Sequence, residues 1–220
     1  MNAHLVWDWN GTLFHDMDAV IGATNASFAE LGLPPITLDR YRELYCVPVP
    51  RFYERLLGRL PSDVEWEVMD ATFHRHYWAL AEACGLAEGA LELLAARRTA
   101  GLTQSLCSLA PHERLLPMIT SHGIGEHFVR VDGRTGPSTA GKAEQMARHL
   151  AALATLDGVD TGRVVVIGDA LDDAAAAAHV GAYAVLYTGG SGSRRTLESA
   201  GVPVVDTLAH AVELAAEIAS

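Results

Sequence analysis

Apolar residues along the chain fall into two patterns, short continuous runs and longer stretches with helical spacing. Residues 3–7 form a short apolar run that stops at Asp8 and Gly11, which is typical of a buried parallel strand ending in a turn. From about residue 17 to residue 86 the spacing is helical. The pattern predicts a first helix closed by Gly32 and Pro34, and further helices at 41–45, 52–60 and 66–80.

After Gly89 the two patterns alternate. Predicted helices lie at 91–100, 114–122, 142–156, 174–180 and 208–218, and predicted strands at 103–107, 128–131, 164–167, 183–187 and 202–205. This alternation predicts a parallel sheet covered on both faces, with ligands bound at the carboxyl ends of the strands. The longest irregular stretch is 133–141. The Gly189-Gly190-Ser191-Gly192 stretch is interpreted as a mobile connector rather than a phosphate cradle.

The composition is that of an ordinary globular protein, with 50% hydrophobic and 20% charged residues among 220. The formal net charge of −11 argues against nucleic acid or an anionic membrane as the partner, because both attract basic surfaces. An anionic small ligand would need a local positive site. Of the 16 basic residues the only lysine is Lys142.

Three cysteines, Cys46, Cys84 and Cys107, are widely spaced and form no CxxC pair. They are predicted to be buried thiols in a reducing cytosol. The N-terminal segment meets an acid after only a few apolar residues, so we expect no signal peptide, and no apolar run is long enough to cross a bilayer. The expected location is the cytoplasm, and the expected state is a monomer or homodimer.

Polar residues suited to phosphoryl transfer follow the strands or open the helices of the predicted sheet. They are Asp8 and Asn10, Ser108, Lys142, and Asp169 with Asp173. A carboxylate can attack phosphorus and form an aspartyl-phosphate, which divides one difficult step into two. Mg²⁺ prefers oxygen ligands and is often held by carboxylates plus a substrate phosphate. A serine hydroxyl and an ammonium group can bind the oxygens of the phosphoryl group that is being transferred.

These motifs resemble those of the haloacid dehalogenase (HAD) superfamily, in its phosphatase-like branch with a helical cap inserted after the first strand. The matching segments are LVWDWNGTLFHD, GLTQSLCSLAP, Lys142 and VVVIGDALDD, in that order. The resemblance implies an α/β fold, with a Rossmann-like core at 1–15 and 89–220 and a helical cap at 16–88. It also implies Mg²⁺-dependent hydrolysis of a small phosphate monoester, and the closest general resemblance is to the phosphoglycolate-phosphatase-like subgroup.

The family pattern also implies roles for individual residues. Asp8 would be the nucleophile and a metal ligand, the backbone carbonyl of residue 10 and Asp169 would complete the protein's metal ligands, and Asp173 would hold the metal's waters. Ser108 and Lys142 would bind phosphoryl oxygens. Asp172 is interpreted as a solvated acid of the helix's first turn. In the cap, Arg51 is either a substrate contact or a surface charge.

Asn10 departs from the family pattern, because these phosphatases usually carry a second Asp there that protonates the leaving oxygen and later activates water. Asparagine cannot exchange a proton at neutral pH, and the loss of acid–base help slows a reaction by roughly 10²–10⁴-fold. Three explanations stay open. The leaving group is acidic, as in an acyl or aryl phosphate; another residue, His15, His74 or His76, supplies the proton; or the ligand is bound and scarcely turned over.

Two other chemistries of the superfamily fit less well. Phosphonoacetaldehyde hydrolases resemble Asp-Trp-Asn-Gly-Thr in their first motif, but they form a Schiff base through a cap lysine, and residues 16–88 contain none. Haloacid dehalogenases work without metal and do not need Asp169 and Asp173. The alternative from a different class is a catalytically weak phosphometabolite-binding or regulatory protein on the same fold.

Overall fold

The structure is a computed structural model that describes residues 3–136 and 141–218. In these ranges the strands are β1 (His4–Trp7), β2 (Phe14–His15), β3 (Gly85–Leu86), β4 (Gln104–Pro111), β5 (Val131–Arg134), β6 (Val164–Gly168), β7 (Tyr183–Tyr187) and β8 (Val204–Val205). The helices are α1 (Met17–Glu30), α2 (Leu38–Leu44), α3 (Val49–Leu57), α4 (Asp63–Ala81), α5 (Ala90–Thr99), α6 (His112–Ser121), α7 (Lys142–Leu153), α8 (Leu171–His179), α9 (Arg194–Glu198) and α10 (Leu208–Ile218), with a 3₁₀ turn at Gly125–His127.

Six strands form one parallel sheet in the order β5-β4-β1-β6-β7-β8. The central strands β1 and β6 are buried along their whole length, which explains why they are almost continuous apolar runs in the sequence. The side chains of successive β1 residues point to opposite faces of the sheet, so Leu5 and Trp7 belong to one core cluster and Val6 to the other. The predicted α/β fold with a parallel sheet is confirmed.

Four helices, α1 to α4, are inserted between β2 and β3, and we call them the helical insert. The two short strands pair antiparallel, Phe14 with Leu86 and His15 with Gly85, so the chain leaves and re-enters the core at one place. Inside the insert, α1 packs on α4. The limits 16–88 predicted for a separate cap stay a prediction.

Some predicted elements are shifted in the structure. The strand predicted at 128–131 forms instead at β5, because backbone pairing with β4 fixes the register and Val129 is exposed. The helix predicted at 174–180 begins at Leu171, since the Asp173 carboxylate accepts the backbone N–H groups of Asp169 and Ala170 before the first turn. The irregular stretch predicted at 133–141 is strand through Arg134, and its residues 137–140 lie outside the described residues.

The cysteine prediction is wrong in part: Cys107 is buried, whereas Cys46 and Cys84 are half-exposed. All three are free thiols. Among the described residues, none of the helices has both the length and the apolar character needed to span a bilayer.

Candidate active site

The carboxyl ends of neighbouring strands bring three predicted site residues to one edge of the sheet. Asp8 follows β1 and Asp169 follows β6, the strand beside it, and both carboxylates are buried. On the other side of β1, Trp7 pairs with Leu106 of β4, so Ser108 lies one residue further along its strand than Asp8. The crevice at these strand ends is where open α/β sheets bind ligands.

Lys142, the first residue of α7, reaches this edge from a neighbouring helix. Its ammonium group donates hydrogen bonds to Oδ1 of Asp8 and Oδ1 of Asp173, and only 3% of the residue is exposed. Burial by itself lowers the pKa of Lys142, but the charges of Asp173 and Asp8 outweigh it and raise the pKa above its ordinary value. Lys142 is therefore a buried, charged group in contact with two carboxylates.

Asp172 holds the start of the same helix. Its Oδ2 accepts the backbone N–H of Lys142 at 3.1 Å, and its side chain is half-buried. Asp172 is an acid of the first turn of α8, as predicted, but its interpretation as solvated is wrong in part, because its carboxylate is half-buried and joins the start of α8 to the start of α7.

Asp8, Asp169 and Asp173 form a cluster in which each carboxylate offers an oxygen within 4.8 Å of the others. Burial raises the pKa of Asp8 well above its usual value, although Lys142 opposes this shift. Burial and the charge of Asp173 likewise raise the pKa of Asp169 to about 7. Three crowded carboxylates with one ammonium leave an excess of negative charge, and hard oxygen ligands suit Mg²⁺. The residues present therefore fit the predicted metal.

Asp169 fits into a space that only glycines leave open. A Cβ on Gly190 would lie 2.1 Å from Oδ2 of Asp169, and one on Gly11, whose φ is +70°, would lie 2.5 Å from it. The backbone N–H of Ser191 donates to the same Oδ2 at 2.6 Å, and the Thr12 hydroxyl donates to Oδ1 at 3.3 Å. The Gly189–Gly192 stretch is thus a hydrogen-bonded wall of the site, and its interpretation as a mobile connector is wrong.

Ser108 is buried, and its hydroxyl accepts the backbone N–H of Ala110 at 3.0 Å. Its carbonyl accepts a hydrogen bond from the side chain of Gln145, which also donates to the carbonyl of Asp132 at 3.3 Å. Gln145 lies three positions after Lys142 on α7 and therefore on the same face of the helix. Sequence reasoning missed Gln145, although this spacing was a usable signal.

Asn10 is part of a hydrogen-bonded ring that sequence reasoning also missed. Its Nδ2 donates to Oδ2 of Asp16 at 2.8 Å and to the hydroxyl of Tyr77 at 2.6 Å, and that hydroxyl donates to the same Oδ2 at 2.6 Å. The backbone N–H of Gly11 donates to Oδ1 of Asp16 at 2.9 Å. Burial raises the pKa of Asp16, and the hydrogen bonds from Tyr77 and Asn10 oppose that shift.

None of the three histidines considered as proton donors is hydrogen-bonded to Asn10. His15 and His74 are exposed, and Nδ1 of His74 lies 2.9 Å from the carbonyl of Asp70 in its own helix. His76 is half-buried. The amide nitrogen of Asn10 is bonded to Asp16 and Tyr77, and to none of these histidines.

The insert reaches the core loop through Arg42 rather than Arg51. Arg51 is exposed on α3. The guanidinium of Arg42, on α2, donates to the carbonyls of Gly190 at 2.8 Å and Gly189 at 3.1 Å. These are the two carbonyls that come directly before the Ser191 N–H, which donates to Asp169, so α2 is bonded to the wall of the carboxylate cluster.

An aromatic residue of the insert, Tyr45, lies close enough to the carboxylate cluster to experience its charge. Burial raises the pKa of Tyr45, and the negative charges of Asp169 and Asp8 raise it further. Its ring stacks on Tyr41 with centroids 5.3 Å apart. Both rings also pack on Phe52, so the pair belongs to the aromatic packing of the insert.

Comparison with known proteins gives consistent results. A sequence model described as haloacid dehalogenase-like hydrolase matches residues 3–181. A phosphoglycolate phosphatase of Caulobacter vibrioides is 27% identical over 192 residues, which cover 86% of this chain and 80% of the relative. One of Rhodobacter capsulatus is 25% identical over 219 residues, covering 95% and 90%. A hydrolase of Pseudomonas syringae has the same fold, with a TM-score of 0.78 at 20% identity and full coverage of both chains.

Proposed function

The chain belongs to the haloacid dehalogenase-like hydrolase family, and from this premise we propose that it hydrolyses a small phosphate monoester through an aspartyl-phosphate on Asp8. One observation carries the proposal. The carboxylate of Asp8 lies in a buried cluster with Asp169 and Asp173, and a buried ammonium, that of Lys142, contacts it directly. A nucleophilic carboxylate and a phosphate are both anions, and in this proposal Lys142 and a cation held by the carboxylates supply the positive charge that lets them meet.

In the first step, an oxygen of Asp8 forms a bond to phosphorus while the bond from phosphorus to the leaving oxygen breaks, and that oxygen departs with the bonding electrons. Lys142 and Ser108 hold the phosphoryl oxygens during the transfer. In the second step, the oxygen of a water molecule forms a bond to the same phosphorus while the bond from phosphorus to the Asp8 oxygen breaks. This restores the Asp8 carboxylate, and the protons of the water leave with the inorganic phosphate. The two steps together consume one water for each ester bond broken.

We propose that Mg²⁺ is the metal of this site, held by Asp8, Asp169 and the backbone carbonyl of Asn10, with Asp173 holding its waters. When bound, the ion would neutralise charge on the transferring phosphoryl group. The raised pKa values of Asp8 and Asp169 support the proposal, because burial, and secondarily the charge of Asp173, disfavours their ionised forms, and a bound cation would favour them.

Asn10 restricts the leaving group in this proposal. Its amide nitrogen donates hydrogen bonds to Tyr77 of the insert and to Asp16, which directly precedes the insert. An amide also has no proton to give to a leaving group at neutral pH. Leaving groups that depart without a proton, such as phenols, are therefore favoured over alcohols.

The segment 16–88 acts, in this proposal, as a cap that excludes water and selects the substrate. Arg42 supports this role because it ties α2 to the loop that holds Asp169. The similar proteins of Caulobacter and Rhodobacter are named phosphoglycolate phosphatases, so phosphoglycolate belongs among the tested substrates.

The test is phosphate release from phosphoglycolate, a simple alkyl phosphate and an aryl phosphate, each with Mg²⁺ and with EDTA. We expect release that depends on Mg²⁺ and is faster for the aryl ester by roughly 10²-fold or more, the scale of acid–base help. Asn10 also favours a second function, binding of a phosphorylated ligand without turnover. That function predicts saturable binding of the esters and no release from any of them.

A further inference from the structure

The side chain of Asn10 is oriented by a residue from outside the core. An ionised carboxylate can only accept hydrogen bonds. Asp16 receives three of them, from Asn10, Tyr77 and the backbone of Gly11, so the nitrogen of the Asn10 amide has to face Asp16. Its second hydrogen goes to the Tyr77 hydroxyl. The carbonyl oxygen, Oδ1, is then the one polar atom of the side chain that the ring leaves free.

Tyr77 is itself held firmly in the insert. Its ring stacks on Phe73 with centroids 5.6 Å apart and an interplanar angle of 10°, and it meets Trp78 edge-on at 5.0 Å. The residue is 6% exposed. Burial and the neighbouring charge of Asp16 raise the pKa of the phenol, so the hydroxyl keeps its proton and remains a donor to Asp16.

We propose that Tyr77 is a positioning residue of the reaction, which holds Asn10 with its nitrogen toward the insert and its carbonyl oxygen free to accept a hydrogen bond from the attacking water. Residue 10 then orients the water without taking its proton. Because Tyr77 belongs to α4, this orientation depends on the insert being in place over the core. The inference rests on the proposed phosphatase function for its catalytic part.

A double-mutant cycle separates positioning from simple stabilisation of the fold. Tyr77→Phe keeps the ring and its stacking but removes both hydrogen bonds of the hydroxyl. We expect kcat on an aryl phosphate to fall about three- to tenfold with little change in KM, the size of one net hydrogen bond. In an Asn10→Ala background, which has no amide to orient, the same substitution should have no further effect.

Tyr53→Phe is the matched control. Tyr53 is also a buried tyrosine of the insert, packed among aromatic rings, and it has no contact with Asn10 in the described structure. We expect wild-type kcat and KM from it. An unchanged kcat in Tyr77→Phe, or a loss of equal size in the Asn10→Ala background, would overturn the positioning role.

A second readout does not need turnover. The sequence has three asparagines and two glutamines, so a ¹⁵N spectrum contains few side-chain amides, and Asn10→Ala identifies the one of interest. In the wild type we expect the Asn10 amide hydrogens to exchange slowly with water. Tyr77→Phe should accelerate this exchange, and Tyr53→Phe should leave it unchanged.

The two readouts distinguish the two hypotheses. If the wild type releases no phosphate, the proposed function fails, and the amide exchange still decides whether Tyr77 holds Asn10. If exchange is as slow in Tyr77→Phe as in the wild type, the hydroxyl does not hold the amide and the inference fails even in an active phosphatase.

Discussion

The amide nitrogen of Asn10 lies 2.8 Å from Oδ2 of Asp16, a carboxylate that is fully buried. Residue 10, where this family usually carries an acid, is an amide in this chain, and the carboxylate of Asp16 is in contact with it. A substitution at either position alone alters this pair. Residue 10 has to be tested together with residue 16.

Exchanging the two side chains should improve hydrolysis of alkyl phosphates. Asn10→Asp alone places two carboxyl groups in contact, so they compete for one proton. Adding Asp16→Asn restores a donor opposite the new acid and leaves that acid at the position where the family uses it. We expect the double variant to exceed the wild type, by up to roughly 10²–10⁴-fold in kcat, and to exceed Asn10→Asp. A double variant no faster than the wild type would contradict this account of Asn10.

Removing the ammonium of Lys142 should lower kcat by a much larger factor than it lowers the stability of the fold. Lys142→Gln leaves Asp8 and Asp173 without their shared cation, and we expect kcat to fall by roughly 10²–10³-fold, as on loss of a donor to the transferring group. Steady-state kinetics and thermal unfolding measure the two effects. Arg148→Gln, which removes an exposed cation from the same helix, is the control. Equal kcat for the two variants would show that Lys142 has no part in the transfer.

His4 should make the stability of the protein depend on pH. It is 1% exposed, and its ring nitrogens lie 2.9 Å from the Thr103 hydroxyl and 2.8 Å from that of Ser105. Burial, and secondarily the charges of His149 and Arg97, lower its pKa from 6.5 to about 4. Between these values the unfolded chain binds the extra proton, so the free energy of unfolding should fall by about 3 kcal/mol as the pH falls from 6.5 to 4.

Urea unfolding at pH 7 and pH 5 tests this prediction. In His4→Gln, the difference in the free energy of unfolding between pH 7 and pH 5 should be much smaller than in the wild type. His210→Gln, which removes an exposed histidine, should show the full wild-type difference. A pH dependence in His4→Gln as steep as in the wild type would assign the effect to other groups.

Much of the fold could be predicted because its central strands are buried on both faces. The runs at β1 and β6 are apolar for that reason, and each ends directly before the acid that it delivers to the cluster. The strands at the edges of the sheet have a weaker hydrophobic pattern in the sequence. β5 contains Asp132 and Arg134 and is determined by backbone pairing, and the two-residue strands β2 and β3 are too short for any periodicity.

The part of the site that could not be predicted depends on contacts between distant segments. Asp16 could have been noticed, since it is an acid six positions after Asn10. Nothing in the sequence shows that Tyr77, 67 positions away, donates to Asp16 and accepts from Asn10, because that contact depends on how α4 packs over the core. The same holds for Arg42, whose bonds to the glycine loop cross from the insert to the core.

The central claim, that Asp8 carries the phosphoryl group, is tested most directly by trapping the intermediate. The protein is mixed with an aryl phosphate and Mg²⁺, quenched in acid within the first turnovers, digested and analysed by mass spectrometry. We expect one added phosphoryl group on the peptide that contains Asp8, lost on treatment with hydroxylamine and absent in Asp8→Asn. Phosphate release without a phosphorylated Asp8 peptide, or undiminished release by Asp8→Asn, would contradict the mechanism.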